Sequence, residues 1–280
     1  LSKRGGHLKI IGIGDNVVDY YEHQGLMYPG GNALNVPVMC NRIGATQSSY
    51  IGILGTDLAG KHVLESLKLE GIDVSHVRQV MGPNGEATVS LREGDRVFVG
   101  STGGVQDLLT IRLSNDDLAF IREHDLLHTS VYSHIEGELK NIALDISFDF
   151  STRRDAAYLG RVCPLISLAF FSGSDLASDE CSSLMKQVSS YGVETVVITR
   201  GADGALCWQD GQTFSQPAVA VTQLVDTLGA GDAFIAGFLT ARAEQRDIPA
   251  CLRMAAETAA ETCAYFGAFG RPLAKVTEQR

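Results

Sequence analysis

Apolar residues in this chain fall in short unbroken runs bounded by glycine or aspartate. The runs LKIIGIG, SYIGILG, LISLAFFSG and TVVITRG have the look of strands buried on both faces of a parallel sheet. Between them lie amphipathic segments at residues 32–43, 61–70 and 179–191, which predict crossover helices. Strand, turn and helix thus alternate from end to end, and the pattern predicts an α/β fold: a doubly wound, mostly parallel sheet in a single domain over residues 1–280. No internal repeat, low-complexity tract or long linker interrupts it.

One stretch departs from that rhythm. Residues 85–102, GEATVSLREGDRVFVGST, alternate polar and apolar positions with period two around a turn at 93–95. This predicts a hairpin protruding from the α/β body, either a decorative edge or a small β lid over a site. The pattern alone leaves both open.

Composition narrows the picture. With 45% hydrophobic and 20% charged residues in 280, the chain is an ordinary globular sequence able to bury a sizeable core. Its net charge of −10 argues against a nucleic-acid binder. Cys40, Cys163, Cys181, Cys207, Cys251 and Cys263 lie far apart without a CxxC pair, as expected of small buried residues in a reducing compartment. The basic start, LSKRGGHLKIIGIG, reads better as a strand than as a secretory signal. No run approaches the ~20 apolar residues of a membrane helix, so a cytoplasmic location is expected.

Three glycine motifs compete as nucleotide signals. Gly12-Ile13-Gly14 follows a strand, but the third glycine of a dinucleotide fingerprint would fall on Val17. A strand-end turn is the better account. Gly55 to Lys61 fits GxxxxGK, yet His62 stands where Ser or Thr is needed, and Asp57 would put a carboxylate in the phosphate cradle. A glycine turn with Asp57 starting the next helix is preferred. The third motif is Asp226-Thr227-Leu228-Gly229-Ala230-Gly231-Asp232, followed by AFIAGFLTA. Its small residues let backbone amides approach a ligand, and a helix starting near Asp232 would turn its positive end to the same place. Asp232 then has two readings. It is a carboxylate interacting with a helix dipole, or it takes the proton of a hydroxyl attacking a phosphate. His124 and His128, four apart in REHDLLH, have a metal-like spacing, but no HExxH is present and a helix end running into a strand is expected.

DTLGAGDAFIAGF resembles, position for position, the C-terminal signature of the ribokinase-like (PfkB) carbohydrate kinases. Gly30-Gly31-Asn32-Ala33-Leu34-Asn35 resembles their N-terminal signature, and the order GDNVVD, GGNALN, GTDLAG, hairpin, TRGADG, DTLGAGD agrees over roughly residues 8–270. The resemblance implies a ribokinase-like fold with lid segments at about 20–30 and 83–103, and an ATP-dependent kinase acting on a sugar-type hydroxyl. Asp232 would be the general base, and the amides across Gly229, Ala230 and Gly231 an anion hole. Asp19, Gly30, Gly31 and Asn35 match positions that hold sugar hydroxyls, and Asp15 shares their turn; a plain turn role is the bland reading of both acids. Thr199, Gly201 and Gly204 match a turn bordering ATP. Asp226, with carbonyls around Leu228 and near Gly267, resembles a site for a potassium-like ion. In place of the NxxE element that helps organise Mg²⁺ through water stand Ser172 and Asp175. Asp175, one methylene shorter, would take the Glu's role toward Mg²⁺ through water, Ser172 is a poorer substitute for the Asn, and Mg²⁺ is expected to bind through ATP's own phosphates and waters.

Within the family, GDNVVD, GGNALNV, DRVF, the TxGV element, HDLLH and FDFS at 148–151 resemble fructoselysine 6-kinases. Their substrate carries a cationic amine, which an acidic pocket built from groups such as Asp15 or Asp95 would suit. A fructokinase, ribokinase or nucleoside kinase is the alternative enzyme, and a non-catalytic nucleotide sensor the alternative class. A homodimer through the lid is implied by the same resemblance; neither a nucleic-acid nor a membrane partner is expected.

Overall fold

A computed structural model describes residues 8–92 and 95–275. Eight strands form the main sheet: Lys9–Ile13 (β1), Gln47–Ile51 (β4), Leu126–Ser130 (β9), Asp145–Asp149 (β10), Leu168–Ser172 (β11), Thr195–Thr199 (β12), Ala205–Gln209 (β13) and Gln212–Gln216 (β14). Their order is β14-β13-β12-β11-β10-β9-β1-β4. All neighbours pair parallel except the hairpin β12-β13-β14 at one edge. The apolar runs fill the interior of this sheet, as the sequence pattern requires: Ile10, Ile11 and Ile13 on β1 and Val196, Val197 and Ile198 on β12 are fully buried. The two sheet faces carry separate apolar clusters, so helices cover both sides.

The helices are Asn32–Arg42 (α1), Leu58–Leu69 (α2), Val105–Leu108 (α3), Asn115–Ile121 (α4), Ala156–Val162 (α5), Ser178–Ser190 (α6), Ala230–Ala243 (α7) and Ile248–Thr262 (α8). Helix α7 is apolar on nearly every side, with residues 233–241 all buried. Gly237 lets α8 approach it, since a Cβ there would sit 2.8 Å from Ala255 Cα. Helix α1 lies equally close to β1: a Cβ on Gly12 would come within 2.0 Å of the Ala33 carbonyl. That contact gives the first glycine of the GIG turn a packing reason.

A second sheet contains the predicted hairpin. It joins Leu273–Ala274 (β15), Leu26–Gly30 (β3), Val17–Tyr21 (β2), Glu86–Arg92 (β7) and Asp95–Thr102 (β8) in that order. β7 and β8 pair antiparallel, with a register shift between Thr88 and Val89. The predicted turn at 93–95 lies partly outside the described residues. The sequence reading had SYIGILG as one strand. It breaks at Gly52, and Ile53–Gly55 (β5) instead pairs with Arg78–Val80 (β6) in a two-stranded sheet. Among the described residues no helix is long and apolar enough to cross a membrane.

Candidate active site

The carboxyl ends of β1, β9, β10 and β11 open onto a cleft of about 850 Å³, roofed by the second sheet and residues 101–111. Parallel α/β sheets place their ligands at this end, and the volume suits a small molecule plus part of a nucleotide.

Helix α1 supplies one wall. Its N-cap is Gly31, at φ 115°, where a Cβ would strike Asn16 and the Asp15 carbonyl. Gly31 has no side chain with which to cap, so Asp15 caps the helix from outside. Asp15 Oδ2 accepts from the Asn32 amide at 2.7 Å, and Oδ1 accepts from the Ala33 amide and the Ser130 and Ser133 hydroxyls. With four donors on it, Asp15 is held as the anchor of this corner. Asp19, on β2, is buried and lines the cleft, and its Oδ2 would lie 2.2 Å from a Cβ on Gly30. Only glycine fits beside it.

Helix α7 supplies the facing wall. Gly229, its N-cap at φ 78°, packs so closely on Ala268 that a Cβ would approach Cα there to 2.6 Å. Gly231 differs: apart from its chain neighbours and its own helix backbone, no atom of the described residues lies within 4 Å of a Cβ built on it, and the residue faces the cleft. Thus Gly229 is demanded by packing and backbone conformation, whereas Gly231 keeps space open toward a ligand. The Ala230 amide donates to the Thr227 carbonyl at 3.2 Å. The amides of Gly231 and Asp232 belong to the first helical turn, where intrahelical acceptors are lacking.

Asp232 therefore stands at the positive end of α7 and faces α1. Asn32 Nδ2 donates to its Oδ1 at 2.7 Å and Asn35 Nδ2 to its Oδ2 at 2.6 Å. The two asparagines, three apart, share one helical face. Surrounding protein raises the Asp232 carboxyl to about 6; the Asn35 and Asn32 donors oppose that rise, and the charge of Asp15 adds to it. It is a carboxylate at neutral pH, poised near a proton acceptor's working range.

A second carboxylate completes this corner. Asp149 ends β10 and lines the same cleft. Its Oδ2 accepts from Asn32 Nδ2 at 3.0 Å and its Oδ1 from the Ser151 amide at 2.9 Å. Burial raises it to about 7, against the Ser151 amide and with the charges of Asp232 and Asp15. Behind Asn32, its Oδ1 meets His128 Nε2 at 2.9 Å, and His128 Nδ1 meets Ser147 Oγ at 2.9 Å. His124 is engaged elsewhere, with Ser49 and the Phe120 carbonyl.

The remaining positions lie farther out. Thr199 is the register partner of Ser172, which lines the cleft, and Gly201 and Gly204 bound the turn that follows; none of the three borders the cleft itself. Asp175 is paired bidentately with Arg154 at 2.8 and 2.9 Å, which holds its carboxyl down at about 2. Asp226 accepts from the Tyr21 hydroxyl and from the amides of Leu228 and Gly267. The side chain of Asp95 falls outside the described residues. Sequence reasoning did not single out Asn32 or Asp149, and met His128 only as half of a metal-like spacing with His124. Asn32 was within reach, because GGNALN carries two asparagines at one helical spacing, and Asp149 stands at a strand's carboxyl end.

The family model of the pfkB family carbohydrate kinases matches residues 9–146 and 167–273. The chain is 52% identical over 267 residues to fructosamine kinase FrlD of Bacillus subtilis (strain 168), covering 94% of this chain and 93% of the relative. It is 35% identical to fructoselysine 6-kinase of Escherichia coli (strain K12), covering 92% and 98%. The structure of Arabidopsis thaliana ribokinase complexed with ribose and ATP superposes with a TM-score of 0.79 at 21% identity, over 94% of this chain and 95% of that one. That likeness places the architecture, a main sheet with a second, smaller sheet, among ribokinase-like folds. The chain belongs to the pfkB family of carbohydrate kinases, enzymes that transfer a phosphoryl group to an alcohol acceptor.

Proposed function

We propose that this kinase phosphorylates the 6-hydroxyl of a fructosyl amine, fructoselysine or a related fructosyl amino acid, at the expense of ATP. The observation that carries the reading is the charge of the cleft. Asp15, Asp19, Asp107, Asp149 and Asp232 line it, and no Lys or Arg stands among the described lining residues. A neutral sugar needs one proton acceptor and a few hydroxyl partners, not five carboxylates. A secondary ammonium on the acceptor balances this field, as does the magnesium that accompanies ATP. The names of the similar fructosamine and fructoselysine kinases support the same chemistry.

In this reading Asp19, Gly30, Gly31 and Asn35 orient the sugar, with Asp15 anchoring their corner. Asp232 accepts the proton of the 6-hydroxyl as that oxygen attacks the γ-phosphorus and the ADP oxygen departs. The first-turn amides of α7, at Gly229 to Gly231 and Asp232, face the charge on the transferring group. Thr199, Gly201 and Gly204 border the nucleotide. Magnesium supplies charge neutralisation on the phosphates. Asp175, committed to Arg154, does not fit a water-mediated role toward it. A potassium-like ion near Asp226 would share that carboxylate with three donors. The second sheet, built from segments at about 20–30 and 83–103, closes as a lid and excludes water. The same reading makes the enzyme a homodimer through that lid, working in the cytoplasm, where its six free cysteines stay reduced.

The test is a comparison of kcat/KM with MgATP over fructoselysine, other fructosyl amino acids, fructose, ribose and nucleosides, with an amine-acetylated fructoselysine as a neutral control. Fructosyl amines are expected to lead, and the acetylated control to fall at least tenfold. A plain sugar or nucleoside with the highest kcat/KM would falsify the reading.

A further inference from the structure

Asn32 is surrounded by groups that dictate its orientation. On one side lie two carboxylate oxygens, Asp232 Oδ1 at 2.7 Å and Asp149 Oδ2 at 3.0 Å. On the other lies a single ring nitrogen, His128 Nε2, at 2.9 Å. The amide has two N–H groups and one carbonyl, so its NH₂ must face the carboxylates and its oxygen the histidine. Were the amide reversed, its oxygen would lie 2.7 Å from the Asp232 carboxylate, which needs a donor. His128 Nε2 must then carry the ring proton. The ring is fully buried and held neutral, its pKa lowered to about 3 by burial, so Nδ1 is left as an acceptor. Ser147 Oγ, itself fully buried and 2.9 Å from Nδ1, supplies the proton there. Every donor and acceptor along Ser147, His128 and Asn32 is thus assigned, and the chain ends on both carboxylates.

We propose that Ser147, His128 and Asn32 form a positioning relay whose task is to hold Asp232 and Asp149 together at the acceptor end of the cleft. His128 touches neither acceptor nor nucleotide, since it lies beneath the cleft and not on its wall. It acts by forbidding the Asn32 amide to turn. Asn35 has no comparable restraint: among the described residues its buried Oδ1 meets no hydrogen-bond partner, so its orientation is set by Asp232. The relay supplies what the helix spacing cannot, one fixed donor shared between two acids. This inference rests on Asp232 as the proton acceptor.

The experiment measures kcat, KM and the pH dependence of kcat with fructoselysine and MgATP for His128→Leu, His128→Gln, Ser147→Ala and Asp232→Asn, with melting temperatures. His128→Leu frees Asn32, so kcat is expected to fall about 10- to 100-fold, as for a displaced active-site donor, with KM values changed less than threefold. The acid limb of the kcat profile is expected to move to higher pH, because Asp232 loses a donor that favours its charged form. His128→Gln keeps an N–H near Nε2 and is expected to recover most of kcat and return the acid limb. Ser147→Ala is expected to shift the limb in the same direction by less, which keeps the test usable if His128→Leu does not fold. An acid limb unmoved in both His128→Leu and Ser147→Ala, or equal losses in the Leu and Gln variants that follow their melting temperatures, overturns the relay. Near-normal turnover in Asp232→Asn overturns the base itself; an inactive Asp232→Asn beside an unmoved limb overturns the relay alone.

Discussion

Asp232 and Asp149 show how two identical side chains sharing one asparagine come to differ. Asp232 has two side-chain amides on it and settles at about 6; Asp149 has the shared amide and one backbone N–H and settles at about 7. Both rises are set first by removal from water, which hydrogen bonds to the charged form only partly offset. For Asp149 this has a consequence for stability. An unfolded chain releases that proton near the ordinary value of 3.8, whereas the folded one keeps it to about 7. The folded state therefore binds more protons between those values, and this group's contribution to stability is present below 3.8 and is lost as pH rises to about 7. Asp149→Asn removes the slope. Scanning calorimetry should find the variant melting above the parent at pH 8, by roughly 2–4 °C for each kcal/mol relieved, with the gap closing toward pH 4. A gap that does not widen with pH would show that Asp149 is not a buried acid of raised pKa.

At the scale of elements, GTDLAGK illustrates a ligand-like motif that packing explains. Asp57 Oδ1 accepts from the Gly60 amide at 2.9 Å and caps α2. Gly60 itself comes so near β5 that a Cβ would lie 2.0 Å from the Gly55 carbonyl. Asp57→Ala is therefore expected to cost about 1 kcal/mol of stability while leaving the KM for ATP unchanged. A raised KM for ATP without a stability loss would return the motif to the nucleotide. The parallel sheet, the hairpin and the two helix starts were legible because continuous apolar runs, period-two alternation and small residues before a helix are local signals. What escaped has a non-local cause. Nothing within SYIGILG says that Gly52 parts it between two sheets, because Ile53–Gly55 finds its partner only at Arg78–Val80. Likewise β15 joins the second sheet from the far end of the chain, pairing with β3. His128 read as an interior strand residue; its ring finds Asn32, 96 positions away, only once β9 lies beside α1. Asp232 was legible because its helix start and its glycines are contiguous with it.

At the scale of the whole molecule, Asp226 joins three remote parts. The Tyr21 hydroxyl reaches it from β2 of the second sheet, the Leu228 amide from the loop leading into α7, and the Gly267 amide from the segment after α8. Tyr21 is nearly inaccessible and packs edge-on against Tyr28 and Phe266, with ring centroids 5.1 and 5.9 Å away. The second sheet is thereby tied to the loop from which Gly229, Gly231 and Asp232 follow. At its other margin Lys275 pairs with Glu86 at 2.6 Å and lies over the Tyr20 ring, holding β15 to β7 across β3 and β2. That second tie is partly exposed, so it adds little to stability. The tie at Asp226 is buried, and removing its hydroxyl leaves one carboxylate lone pair unmet at a cost of about 1–3 kcal/mol. Because the loop it steadies carries both the helix start and Asp232, the base in the proposed reading, the loss is expected in function as well as in stability. Tyr21→Phe should lower the melting temperature by several degrees and raise the KM for both ATP and acceptor roughly threefold to tenfold, equivalent to about 0.6–1.4 kcal/mol of the lost restraint. Tyr28→Phe is the matched control in the same aromatic cluster. Its hydroxyl donates to Gln24, at 2.8 Å, and not to Asp226, so both KM values should stay near those of the parent. If the two variants behave alike, the aromatic packing carries the connection and the hydroxyl at Asp226 does not.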